Sequence, residues 1–114
     1  MLRAIVDDRN DFDLRPCHDE LIRRALDVGL GPALYRVSRH GVRATWQDAL
    51  RAQDLAARVE SLGRFDALEE ILAAVPPEIS ANVILLKGAA LCRRIYPEAH
   101  LRMMGDLDLL VAPE

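Results

Sequence analysis

Apolar positions recur at helical spacing through most of the chain, and the period changes near residue 80. Pro16 suits a first helical turn; Leu21, Ile22, Ala25 and Leu26 then share one face, and Gly29 ends the element. A second short helix opens at Pro32, turns Leu34 and Val37 inward and closes at Gly41. Thr45 reads as an N-cap with Asp48 three residues on, a capping-box variant. The helix it starts is expected to bury Ala49, Ala52, Ala56 and Val59, with Leu55 and Leu62 alongside. After Gly63 a further stripe runs through Phe65, Leu68, Leu72 and Val75, and Pro76-Pro77 stops it.

Beyond the prolines, residues 82–86 (Asn-Val-Ile-Leu-Leu) form a short continuous apolar run, which predicts a strand buried on both faces. Lys87-Gly88 follows it. Ala89 to Ile95 reads as one or two helical turns ending near Tyr96-Pro97, and residues 98–105 as loop. Residues 106–111 (Asp-Leu-Asp-Leu-Leu-Val) predict a second strand. Strand, glycine turn, helix, loop and strand together open a sheet flanked by helix. Residues 1–15 are the least legible: residues 2–6 suit a short strand or helical turn, and the acidic run after them suits solvated surface.

Composition narrows the class. At 114 residues the chain holds one domain, or one and part of another. Half of it is hydrophobic (51%) but only 4% is aromatic, so the core must come from Leu, Ala, Val and Ile, which favours helices. The net charge of −3, with arginines scattered among acids, offers no basic face for general nucleic-acid binding. The longest apolar runs are far too short to span a membrane, and the N-terminus turns acidic too early for a secretory signal, so a cytoplasmic protein is expected. Cys17 and Cys92 belong to no metal-ligand or redox spacing and read as free thiols. His18, His40 and His100 are dispersed and read as ordinary surface or partly buried residues. Lys87 is the sole lysine among 15 basic residues, which draws attention to its place at a strand end.

The candidate chemistry lies in the last third. In a strand, residues i and i+2 share a face about 7 Å apart, so Asp106 and Asp108 are expected side by side, with Leu107, Leu109 and Val111 facing the core. Two carboxylates so close repel unless a cation joins them, and Mg²⁺ accepts one or two carboxylates beside phosphate oxygens. Taken alone, an Asp-x-Asp is more often a solvated strand start, and a lone lysine a solvated loop residue. The upstream elements change the balance. Gly88 after a buried strand lets backbone amides approach a ligand, and a helix starting there favours phosphate. Lys87 adds a point charge and Arg102 a planar fork four residues before Asp106.

Val-Ile-Leu-Leu-Lys-Gly-Ala-Ala-Leu, then Ile-Tyr-Pro, then Leu-Arg-Met-Met-Gly-Asp-Leu-Asp-Leu-Leu-Val resembles the uncharacterised nucleotidyltransferase family of the DNA-polymerase-β-like superfamily. Ala25 to Arg36 is similar to that family's helical lead-in. The resemblance spans roughly residues 20–114, and its specific part is 83–111. It implies an α+β fold: a helical region over 16–77 behind the N-terminal segment 1–15, followed by the first strands of a polymerase-β-like palm over 78–114, the sheet incomplete. It also implies transfer of a nucleoside monophosphate from an NTP to an unknown acceptor. Asp106 and Asp108 would be the catalytic, metal-binding pair for Mg²⁺, and Lys87, Gly88 and Arg102 the nucleotide-binding residues.

Two departures stand out. Lys-Gly-Ala replaces the superfamily's usual Gly-Ser, so a serine hydroxyl for a phosphate is missing. The superfamily's third carboxylate comes from a later strand, and the chain as given stops at Glu114, a poor substitute. The chain alone is therefore expected to be weak or inactive, its sheet completed by further chain, self-association or a partner protein. The alternative is a non-catalytic interaction or regulatory module on a degenerate nucleotidyltransferase fold, whose helices dock a partner.

Overall fold

The computed structural model describes residues 11–38, 41–102 and 105–112. The fold is mostly helical with one small antiparallel sheet. Helix α1 (Asp19–Asp27) is followed by α2 (Gly31–Val37), the long α3 (Ala44–Ala74) and the single-turn α4 (Pro77–Ser80). Strand β1 (Ile84–Leu86) then leads directly into α5 (Lys87–Arg94), a 3₁₀ turn (Ala99–Leu101) and β2 (Asp108–Leu110). The expected element at residues 2–6, and His40, Met103, Met104 and Glu114, lie outside the described residues.

Helix α1 starts after Pro16, with Asp19 and Glu20 in its first turn where carboxylates favour the positive helix end. Ile22 is buried and Ala25 and Leu26 half-buried, whereas Leu21, expected inside, is exposed. Gly29 takes the left-handed conformation (φ 80°), and its N–H and that of Leu30 bond the carbonyls of Leu26 and Ala25. This is a Schellman ending, which a residue with a Cβ adopts only under strain. The Gln53 side chain joins α1 to α2, donating to the Leu26 carbonyl at 2.8 Å and accepting from the Gly31 N–H at 2.7 Å. A Cβ at position 31 would lie 2.2 Å from the Gln53 Oε1, so any larger residue there must push the Gln53 side chain out of this junction.

The long helix corrects the sequence reading twice. One uninterrupted helix of 31 residues replaces the two that Gly63 was expected to separate, and it is entered from Arg43 with no side-chain cap, so Thr45 is not the N-cap. A lone glycine lowers helix propensity by only about 1 kcal/mol, and packing along both flanking segments outweighs that. The second correction concerns the buried face, which carries Leu50, Asp54, Ala57, Ser61, Phe65 and Leu68. Leu55, Val59 and Leu62, read as core, are instead 62–66% exposed, and Ala52 and Ala56 are exposed too. An apolar pattern cannot place Asp54 and Ser61 inside, because what offsets Asp54's burial is a partner 46 residues away in sequence: the His100 Nε2, 2.7 Å from its Oδ1.

Helix α3 is about 46 Å long at 1.5 Å per residue and forms the spine of a molecule measuring 56 × 23 × 19 Å. Its first half carries Leu50 against Leu14 and Leu34, and its second carries Phe65 and Leu68 against Cys92, Leu85, Leu107 and Leu109. Between them Ala33, Val37 and Leu101 pack together. Pro76 and Pro77 end α3 as expected.

The sheet is a single antiparallel pair, with Ile84 opposite Leu110, Leu85 opposite Leu109 and Leu86 opposite Asp108. Leu85, Leu107 and Leu109 pack onto the α3–α5 core. The opposite face carries Ile84 and Leu110, more than half exposed, so the first strand is covered on one face rather than two. Val111, expected inside, is 46% exposed. A continuous apolar run signals a strand but does not reveal how many of its faces will be covered.

Candidate functional site

The two strands bring Lys87 and Asp108 together. Leu86 ends β1 in extended geometry opposite Asp108, and the next residue turns the chain into α5. That turn falls on Lys87, whose φ is 49°. Left-handed backbone at a non-glycine residue costs about 1–2 kcal/mol and is worth asking a function of. The sequence reading assigned the turn's freedom to Gly88; the structure places the positive φ on the lysine, and Gly88 lies inside the first helical turn. The Lys87 Nζ sits 3.3 Å from the Asp108 Oδ2, with the lysine side chain 76% exposed and the aspartate 35%. A pair this exposed adds little stability, less than about 1 kcal/mol.

Asp106 was expected beside Asp108 on one strand. Strand β2 begins only at Asp108, so Asp106 lies in the bend before it, exposed and with no hydrogen-bond or ion-pair partner among the described residues. The bend is held from α3: Arg64 donates from Nη1 to the Gly105 carbonyl at 2.7 Å and also pairs with Glu60. Arg102 is exposed, and its carbonyl accepts the Cys92 thiol at 3.4 Å. Burial pushes the Cys92 thiol pKa up, and the nearby Arg102 charge partly opposes this. No contact joins the Arg102 guanidinium to Asp106 among the described residues.

The segment between α5 and β2 is fastened to the helices by ion pairs. Glu98 accepts from Arg36 at 2.5 Å and from Arg58 at 3.2 Å. Arg58 also donates to Asp54 at 3.0 Å, which raises the Arg58 pKa first through that hydrogen bond. His100, expected at or near the surface, is buried against Asp54. Sequence reasoning missed Arg64 and this network. Arg64 follows Glu60 by four residues, the spacing of any surface helix pair, so nothing local marks it. Its link to Gly105 spans 41 residues.

Two carboxylates near one strand end suit a hard cation that completes its shell with phosphate oxygens. Among the described residues no group of three or more His, Cys, Asp or Glu side chains could hold a metal ion by itself. Cys17 and Cys92 are free thiols, as expected. No helix among the described residues is long and apolar enough to cross a membrane.

Helices packed on a small antiparallel sheet define an α+β protein, in which Lys87 at the start of α5 meets Asp108 at the start of β2. A family model described as uncharacterised nucleotidyltransferase matches residues 18–114, and the chain belongs to that family. At that general level it is a member of a transferase family. No curated protein and no solved structure matches the chain.

Proposed function

We propose that the chain carries the NTP-binding half of a Mg²⁺-dependent nucleotidyltransferase, which moves a nucleoside monophosphate from an NTP to an acceptor. The observation that carries this reading is the meeting of Lys87 with Asp108: the cation opens the helix after β1 and the carboxylate opens β2, yet they lie 3.3 Å apart. In this reading Asp106 and Asp108 hold Mg²⁺, which supplies Lewis-acid stabilisation of charge on the triphosphate. Lys87, the amides of the first α5 turn at Gly88, and Arg102 contact phosphate oxygens. Arg64 sets the direction from which Asp106 enters. The acceptor and a further carboxylate come from outside this set of residues.

Calorimetric titration of ATP and the other NTPs, with and without Mg²⁺, tests the reading. The chain is expected to bind at least one NTP only with Mg²⁺, and D106A/D108A to abolish it. Absence of binding by the folded chain overturns it.

A second reading, a non-catalytic interaction module, is favoured by one observation. Leu55, Val59 and Leu62 form an exposed apolar stripe on α3, beside Gly63, where an added Cβ would meet nothing within 4 Å. Under this reading NTP binding is absent and the helical face carries the activity.

A further inference from the structure

Lys87 holds one of the two carboxylate oxygens of Asp108. Its Nζ reaches the Asp108 Oδ2 at 3.3 Å, whereas Asp106 has no partner among the described residues. The lysine side chain is 76% exposed, so releasing it disturbs no packing. Its backbone, by contrast, is set by the strand-to-helix junction and holds φ at 49°. The stem is thus anchored at the strand end while the ammonium is free to swing between Asp108 and the space before α5.

We propose that Lys87 is a selectivity residue that makes the site take a metal–triphosphate complex in preference to free metal. This rests on the nucleotidyltransferase reading above. With Lys87 on Asp108 the charge of that carboxylate is offset, and a divalent cation arriving alone must bind beside a positive charge or displace it. When the cation arrives with a triphosphate, the displaced ammonium gains phosphate oxygens as new partners. Lys87 therefore opposes the first event and favours the second. An arginine's planar fork would hold a carboxylate through two bonds, whereas an ammonium is a compact point charge that changes partner readily.

The experiment measures Mn²⁺ alone by counting free ion with electron paramagnetic resonance, and Mg²⁺ with inorganic tripolyphosphate by calorimetry. The chains are wild type, K87M, K87Q and D106A/D108A. K87M is expected to bind Mn²⁺ alone about fivefold more tightly than wild type, the effect of one unit charge removed at close range in a wet site. The same variant is expected to bind Mg²⁺-tripolyphosphate about fivefold more weakly. K87Q, whose shorter side chain stays polar without the charge, follows K87M. Mn²⁺ binding seen in K87M but not in wild type is the same result at its extreme. Equal Mn²⁺ affinity in wild type, K87M and K87Q, with loss in D106A/D108A, overturns the selectivity role and leaves the nucleotidyltransferase reading standing. No Mn²⁺ binding by K87M or K87Q overturns the selectivity role, and absence of Mg²⁺-tripolyphosphate binding by all of the chains as well removes both.

Discussion

Asp54 and His100 are both more than nine-tenths buried, and each satisfies the other at 2.7 Å. Removing one leaves a polar group in the core without its partner, a change that costs about 3 kcal/mol, so D54A is expected to lower the free energy of unfolding by that amount in a urea melt. D54N, which can still hydrogen-bond His100, should lose less. The two thiols should also differ. Burial holds Cys92 protonated above its ordinary value near 9.0, while Cys17 is half-buried. Iodoacetamide at neutral pH is therefore expected to modify Cys17 first, with Cys92 protected until the chain unfolds, as mass spectrometry will show. Above about pH 9 the unfolded Cys92 thiol ionises before the folded one, so stability declines as pH rises there.

At the scale of elements, α3 decides most of the architecture. Gly63 lies in its middle with open space where a Cβ would go. G63A should raise stability by about 0.5–1 kcal/mol, because the helix continues through it and alanine loses less backbone freedom. A helix broken at Gly63 would instead be damaged by the change. The two faces of α3 make an equally sharp contrast. L50A, at a fully buried position, should cost about 2–5 kcal/mol, whereas L55Q and L62Q should change stability by less than about 0.5 kcal/mol in the same melts. The apolar stripe at 52–62 was legible, but its direction was not, because the competing face holds Asp54 and Ser61. Asp54 is satisfied there by His100, 46 residues away in sequence, beside the buried Leu50, Phe65 and Leu68.

At the scale of the whole molecule, the helices and the sheet are joined along one side of α3. The apolar contacts of Phe65 and Leu68 with Cys92, Leu85, Leu107 and Leu109 lie under the strands. The bonds of Asp54, Arg58 and Arg64 to His100, Glu98 and Gly105 fasten the segment that leads to the carboxylates. The strands are three residues each, so their amides should exchange with deuterium faster than those in the centre of α3, where both apolar and ionic contacts converge.

The sequence by itself determined the helix-then-strand order, the stop at Pro76-Pro77, the turn at Gly29 and the family that contains residues 18–114. These are local matters of periodicity, proline and glycine geometry, and a contiguous motif. Only the tertiary structure decided which face of α3 is core, that Gly63 does not break it, that Asp106 stands outside the strand, and that Lys87 meets Asp108. Each of these depends on groups distant in sequence and close in space, and burial and charge act on distance in space.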